Sequence, residues 1–189
     1  MHDPYVSTYL GHRFYLTRPH IDDVAIEDIA HGLAYQCRFN GQTREFYSVA
    51  QHSLMVMELV PEPLRFAALL HDAAEAYLGD MVKPLKNLFP AFSEIENRVM
   101  AIIGHRFGID LIHLHPAIKH ADRIALATEK RDLMPHSTEP WSYLEGAEPL
   151  PEIIHPWPPE VAKLKFLAAF NDLMGDHSKP CNLHSGEPI

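Results

Sequence analysis

From Ile26 onward, apolar residues recur at the three-and-four spacing of one helix face: Ile26, Ile29, Ala30, Leu33, Ala34 and Cys37. The pattern stops at RFNGQTREF, where Asn40-Gly41 marks a turn. Ser48 and Gln51 have capping-box spacing and open a second helix through SVAQHSLMVMELV. Pro61 and Pro63 break it, and Pro63 begins a third, PLRFAALLHDAAEAYL, which Gly79 stops. Ser93 and Glu96 repeat the capping-box spacing for SEIENRVMAIIGHRFG, ended by Gly108. His115 then caps a helix opened by Pro116, PAIKHADRIALATEKRDLM, and Pro135 closes it. A last helix, PEVAKLKFLAAFNDLM, starts at Pro159 with Val161, Leu164, Ala168 and Phe170 or Leu173 facing inward. Ahead of all these, TYLGHRFYLTR at 8–18 reads as a short hairpin around Gly11.

The pattern predicts an all-α, single-domain helical bundle with a short N-terminal hairpin. The expected divisions are an extended segment at 1–25, a helical domain at 26–175 and a flexible polar tail at 176–189. Residues 135–159 carry seven prolines and both tryptophans, Trp141 and Trp157, a density that leaves room only for a long loop packed by aromatics. Loops of this length usually serve function, so a lid or a docking surface is expected.

Composition narrows the function classes. The 189 residues suffice for a substantial core without covalent staples. A net charge of −9, from 25 acidic and 16 basic residues, disfavours a polynucleotide partner, whose binding rests on broad phosphate neutralisation. Two cysteines, Cys37 and Cys181, write no disulfide framework. Cys37 is expected as a core thiol, and a reducing, cytoplasmic setting follows. The opening MHDPYVSTYLGHRFYLTRP has no apolar stretch of signal-peptide type, and no run approaches a membrane span.

The chemistry lies in polar groups set into apolar helices. His52 and His71 stand about equally far from the turn between their helices, roughly nine residues or ~14 Å at 1.5 Å per residue. Antiparallel packing puts them at one height. Asp72 is about 100° round the helix from His71, and Glu75 about 40° and one turn on. A metal ion off this edge could take His71 and Asp72, with Glu75 one shell out and Asp122 arriving from a third helix. Two imidazoles and two carboxylates suit manganese, iron, cobalt, nickel or zinc and leave open positions, as catalytic sites do. A His-Asp dipeptide alone carries no such meaning, since His2-Asp3 is another. Asp122 could instead pair with Lys119 or Arg123, and Glu75 could be a solvated face residue. His31 reads as a hydrogen-bonded core histidine.

The order His52, HDAAE at 71–75 and KHAD at 119–122 resembles the HD superfamily of metal-dependent phosphohydrolases. FYSVAQHS, LLHDAAEAYLGDMVKPLK and ADRIALATEKRDL resemble its YfbR-like 5′-deoxynucleotidase branch, which includes phage dATP phosphohydrolases. RFNG at 38–41 stands where that branch has an Arg-aromatic pair, and the resemblance spans roughly residues 26 to 134. It implies an HD-type bundle that binds one divalent ion, magnesium also admitted, through His52, His71, Asp72 and Asp122. Glu75 is implied as the catalytic carboxylate, with Asp80 a second carboxylate near the site. Arg38 would contact phosphate or sugar, and Phe39 would pack on the deoxyribose where relatives often carry Trp. Lys83 fits a phosphate contact; Lys86 fits either a second one or a solvated lysine. Glu129, on the face of Asp122, is a further candidate. The implied activity is hydrolysis of the 5′ phosphoester of deoxynucleotides, dATP or dAMP first, by a homo-oligomer. A hydrolase of signalling nucleotides and a non-catalytic, metal-retaining module are the alternatives.

Overall fold

The computed structural model describes residues 3–137, 139–144 and 146–177. The expected tail at 176–189 and Cys181 therefore lie almost wholly outside the described residues. Strands β1 (Tyr5–Ser7) and β2 (Arg13–Tyr15) pair antiparallel with Val6 opposite Phe14. Gly11, at φ +82°, makes the turn a bulkier residue would strain. The strand alternation sends Phe14 inward, fully buried, where its ring stacks on Tyr77 at 3.8 Å between centroids.

Among the described residues eight α-helices follow: α1 (Ile26–Tyr35), α2 (Val49–Glu58), α3 (Arg65–Leu69), α4 (Glu75–Leu78), α5 (Lys83–Lys86), α6 (Pro90–Phe107), α7 (Pro116–Leu133) and α8 (Pro159–His177). The fold is all-α with a short N-terminal hairpin, as the pattern predicts. One apolar cluster gathers Ile29, Leu33, Phe66, Leu69, Ile103 and Phe166; a second, Val56, Ala68, Ile118 and Ala125, seats α7 against the α2–α3 pair. α1 and α4 touch so closely at Gly32 that a Cβ there would stand 2.8 Å from the Ala76 carbonyl oxygen.

His115 caps its helix as read, accepting the Ala117 N–H; Ser48 accepts the Gln51 N–H, but the Gln51 side chain turns to His155 and Trp157 and leaves the capping box half formed. Four expectations are corrected. The single helix over 63–78 is interrupted, with turns over 70–74 between α3 and α4. His71 Nδ1 donates to the Ala68 carbonyl at 2.7 Å, and Glu75 N–H bonds the Asp72 carbonyl three residues back. Side-chain competition of this kind displaces regular helix bonding. The second capping box is unused, because α6 begins at Pro90 and Glu96 pairs instead with Lys86 at 2.6 Å. In α8 the buried stripe is Ala162, Phe166 and Phe170, while Val161 and Leu164 are 37% and 68% exposed. Phe170 packs on Phe66 and Phe107, with ring centroids 5.5 Å and 5.0 Å away. Cys37 lies beyond α1 and is only half-buried.

The proline-rich segment folds back over α2 and α7. Gln51 accepts the Trp157 N–H and donates to the His155 carbonyl, and Asp132 accepts the Ile154 N–H. No helix among the described residues is long and apolar enough to cross a membrane.

Candidate metal centre

His52 sits in mid-α2 with its side chain fully buried. Its Nδ1 donates to Glu129 Oε1 at 2.7 Å, and Glu129, equally buried on α7, also takes Arg38 Nε and Nη2 at 3.2 Å each. His71 Nδ1 is committed to the Ala68 carbonyl by the bond that interrupts the helix. Both rings are thereby oriented with Nε2 pointing away from those partners. Each Nε2 is buried and has no aligned hydrogen-bond partner.

These two nitrogens converge on carboxylates. Asp72 Oδ2 lies 3.3 Å from His71 Nε2 and 3.6 Å from His52 Nε2; Asp122 Oδ1 lies 3.2 Å from His52 Nε2. Two donors each ~2.1 Å from an ion stand about 3.0–3.4 Å apart at angles between octahedral and tetrahedral. His52, His71 and Asp72 each offer an atom within 4.8 Å of the others, a cluster that could hold a metal ion. Asp122 reaches the same His52 nitrogen from the third helix, its side chain 40% exposed.

Charge is balanced around this point. Burial and Arg38 oppose a charge on His52, yet Glu129 and Asp122 outweigh them, and its pKa is pushed up to about 9. Burial works against the Glu129 and Asp122 carboxylates, but Arg38 and His52 hold the first, and chiefly His52 the second, below the usual range. Glu75 goes the other way. Burial first, then Asp72 and Asp80, push its carboxyl well above the usual range, and Oε2 has no partner. Burial and Asp72 likewise raise Asp80.

A cavity of about 210 Å³ opens on the centre. It brings together Arg38, Phe39, Asp72, Glu75, Asp80, Lys83, Lys86 and Asp122, each expected at a site. His52 and His71 do not line it; His71 borders an adjoining cavity together with Asp72 and Glu75. Arg38 proves to be 7% exposed and bound to Glu129, with Nη1 3.7 Å from Asp72 Oδ2. Lys86 is neither solvated nor free, being held by Glu96 and lying over the Phe92 ring. Lys83 is exposed and stands over the Tyr143 ring at 5.5 Å.

Phe39 and Asn40 adopt left-handed backbone at φ 55° and 52°, before Gly41 at 72°. For non-glycine residues that costs roughly 1–2 kcal/mol each, and such strain gathers at functional sites. It holds the Phe39 ring at the cavity, 5.9 Å from Trp141. Tyr143 and Arg123 also line the cavity, and sequence reasoning gave neither a role there. Arg123 adjoins Asp122, which was a usable signal; Tyr143 arrives from the proline-rich segment, and no local pattern announces it.

No protein-family model matches the chain. It is 43% identical over 136 residues to the uncharacterized protein RCAP_rcc00048 of Rhodobacter capsulatus, covering 65% of this chain and 69% of that one. It is 41% identical over 171 residues to the uncharacterized protein YfdR of Escherichia coli K12, covering 89% of this chain and 95% of that protein. With most of both chains matched at that identity, this protein belongs to the family of YfdR.

Proposed function

We propose that this protein is a divalent-metal-dependent phosphohydrolase of the HD type, acting on the 5′ phosphoester of deoxynucleotides. The observation that carries the reading is the pair of buried Nε2 atoms on His52 and His71, each without an aligned hydrogen-bond partner and each facing Asp72. Leaving such a group unpaired costs about 1–3 kcal/mol. A cation shared by His52, His71, Asp72 and Asp122 removes that cost at both rings. The mixed donor set suits manganese, iron, cobalt, nickel or zinc, and admits magnesium. When bound, the ion supplies positive charge for the phosphoryl oxygens and acidifies water.

The chain's own groups divide the remaining work. Glu75, whose carboxyl favours the protonated form, holds a proton for the leaving 5′ oxygen. Lys83 has no carboxylate partner among the described residues and offers its charge to a phosphate. Arg38 fixes Glu129 and presents Nη1 on the Asp72 side of the cavity. Phe39 supplies an apolar wall for the sugar, and Asp80 completes the acidic rim.

Release of phosphate from deoxynucleoside monophosphates and of tripolyphosphate from the triphosphates, with added Mn²⁺ or Co²⁺, tests the reading. Metal-dependent release that Asp122→Ala abolishes is the expected result. Release surviving that substitution overturns it. Turnover confined to cyclic or hyperphosphorylated guanosine compounds, or metal binding without turnover, replaces it with another class.

A further inference from the structure

The cationic side chains around the metal centre are not all used within the fold. Arg38, Lys83, Lys86 and Arg123 line its cavity, together with the carboxyls of Asp72, Glu75, Asp80 and Asp122. Arg38 is committed to Glu129 and Lys86 to Glu96. Lys83 and Arg123 remain, and both are exposed. Lys83 has only a loose contact, its ammonium 5.5 Å from the Tyr143 ring centroid. Arg123 forms no ion pair, side-chain hydrogen bond or ring contact among the described residues. The pairing with Asp122 that adjacency allows is not made, since Asp122 turns to His52 Nε2 instead.

Helix α7 sets where the Arg123 side chain begins. Successive residues step about 100° round a helix, so Leu126 falls between Asp122 and Arg123, roughly 40° from the first. All three line the cavity, so one face of α7 runs from the metal-facing carboxylate to a free guanidinium at the mouth. The charges there leave a surplus. A divalent ion offsets Asp72 and Asp122, and burial makes the Glu75 carboxyl favour its protonated form. Only Asp80 is left to oppose Lys83 and Arg123, and burial pushes that carboxyl up as well. Such a surplus stands out in a chain whose net charge is −9.

We propose that Arg123 is a substrate-binding residue, forming with Lys83 a two-cation clamp that selects a dianionic phosphate monoester over a diester. A planar guanidinium gives two parallel N–H donors to two phosphate oxygens, while an ammonium acts as a point charge. A monoester carries close to two charges on three terminal oxygens, enough for the ion and both cations. A diester has one charge and two such oxygens, and leaves one cation without a partner. The inference deepens the hydrolase reading of this cavity and rests on it.

The probe is sulfate, an unreactive dianion, with methyl sulfate as its monoanionic ester. Both are titrated by calorimetry into the full-length protein with Mn²⁺ present. Sulfate is expected to bind about tenfold or more tighter than methyl sulfate, and Arg123→Gln to weaken sulfate by a similar factor, the worth of a hydrogen bond to a charge. Arg123→Lys, which keeps the charge without the fork, is expected to recover part of that loss. On the wild-type chain sulfate is expected to shift the NMR signal of the Arg123 Nε–H, a reading that needs no variant to fold. The inference is overturned by absence of sulfate binding, by equal binding of the two probes, by undiminished binding to Arg123→Gln, or by an unmoved Nε–H signal. Sulfate binding is read apart from turnover. Arg123-dependent binding without any release of phosphate from deoxynucleotides ends the hydrolase reading and keeps the clamp. Turnover of dAMP whose KM does not move in Arg123→Gln ends the clamp and keeps the reading.

Discussion

Glu129 Oε1 stands 2.7 Å from His52 Nδ1, and both side chains are fully buried. Arg38 closes on the same carboxylate, so three elements distant in sequence are tied through one residue. A carboxylate behind a metal-facing imidazole orients the ring and raises its basicity. Glu129→Gln keeps an acceptor but turns an amide N–H toward the Arg38 donors. The expected outcome is metal affinity lower by about 10–100-fold and stability lower by about 3–5 kcal/mol, the cost of breaking a buried pair. Cobalt titration by visible absorbance and urea unfolding measure the two. Unchanged affinity would remove Glu129 from this role.

The His52 pKa near 9 gives the metal-free chain a definite pH response. The folded value exceeds the ordinary 6.5, so the stability His52 lends is complete below about 6.5 and lost as pH rises through about 9. A metal must displace this proton. Affinity is therefore expected to climb about tenfold per pH unit between roughly 7 and 9 and then level off. Calorimetry at pH 7 in two buffers of different ionisation heat should register close to one proton released per ion. Affinity that stays flat over that interval contradicts the assignment.

Much of this centre was readable because helix geometry is regular. The rise per residue and the short link between two apolar helices put His52 and His71 at one height, and their rings stand 5.3 Å apart. The break after Leu69 was not readable, because it goes with a His71 side-chain bond to the Ala68 carbonyl, of which hydrophobic spacing carries no trace. The left-handed Phe39 is hidden for a similar reason: its strain is imposed by what surrounds it. In α8 the spacing put Val161, Leu164 and Ala168 inward with Phe170 or Leu173; Phe170 is buried against Phe66 and Phe107, and with it Ala162 and Phe166 take the inward places. Tyr143 reaches the cavity through a segment whose course depends on distant bonds to Gln51 and Asp132.

Glu75 separates catalysis from stability. Its folded pKa is raised above the ordinary 4.5, so the stability it contributes is complete below that pH and declines as pH rises toward the raised value. Glu75→Gln does not titrate. Without metal, the variant's stability relative to wild type is expected to grow from pH 4.5 toward neutrality. Its turnover is expected to fall by about 10²–10⁴, the usual worth of a positioned acid or base. Urea unfolding across pH, set beside phosphate release, reads both. A variant as active as wild type would dismiss Glu75 from the chemistry.

The two lysines at the cavity are expected to answer differently. Lys86 is pinned by Glu96 at 2.6 Å and lies over Phe92, whereas Lys83 stands over the Tyr143 ring and has no ion pair among the described residues. Removing Lys86 with Lys86→Met leaves a partly buried Glu96 without its cation, and a loss of about 1 kcal/mol or more is expected with KM little changed. Lys83→Met disturbs no ion pair among the described residues, so the unfolding midpoint should hold. Its cost falls on substrate, with kcat/KM lower by about tenfold to a hundredfold for a lost charge contact to phosphate. Steady-state kinetics and thermal unfolding of both variants measure the contrast. The reverse pattern, KM rising with Lys86→Met and stability falling with Lys83→Met, would exchange the roles of the two side chains.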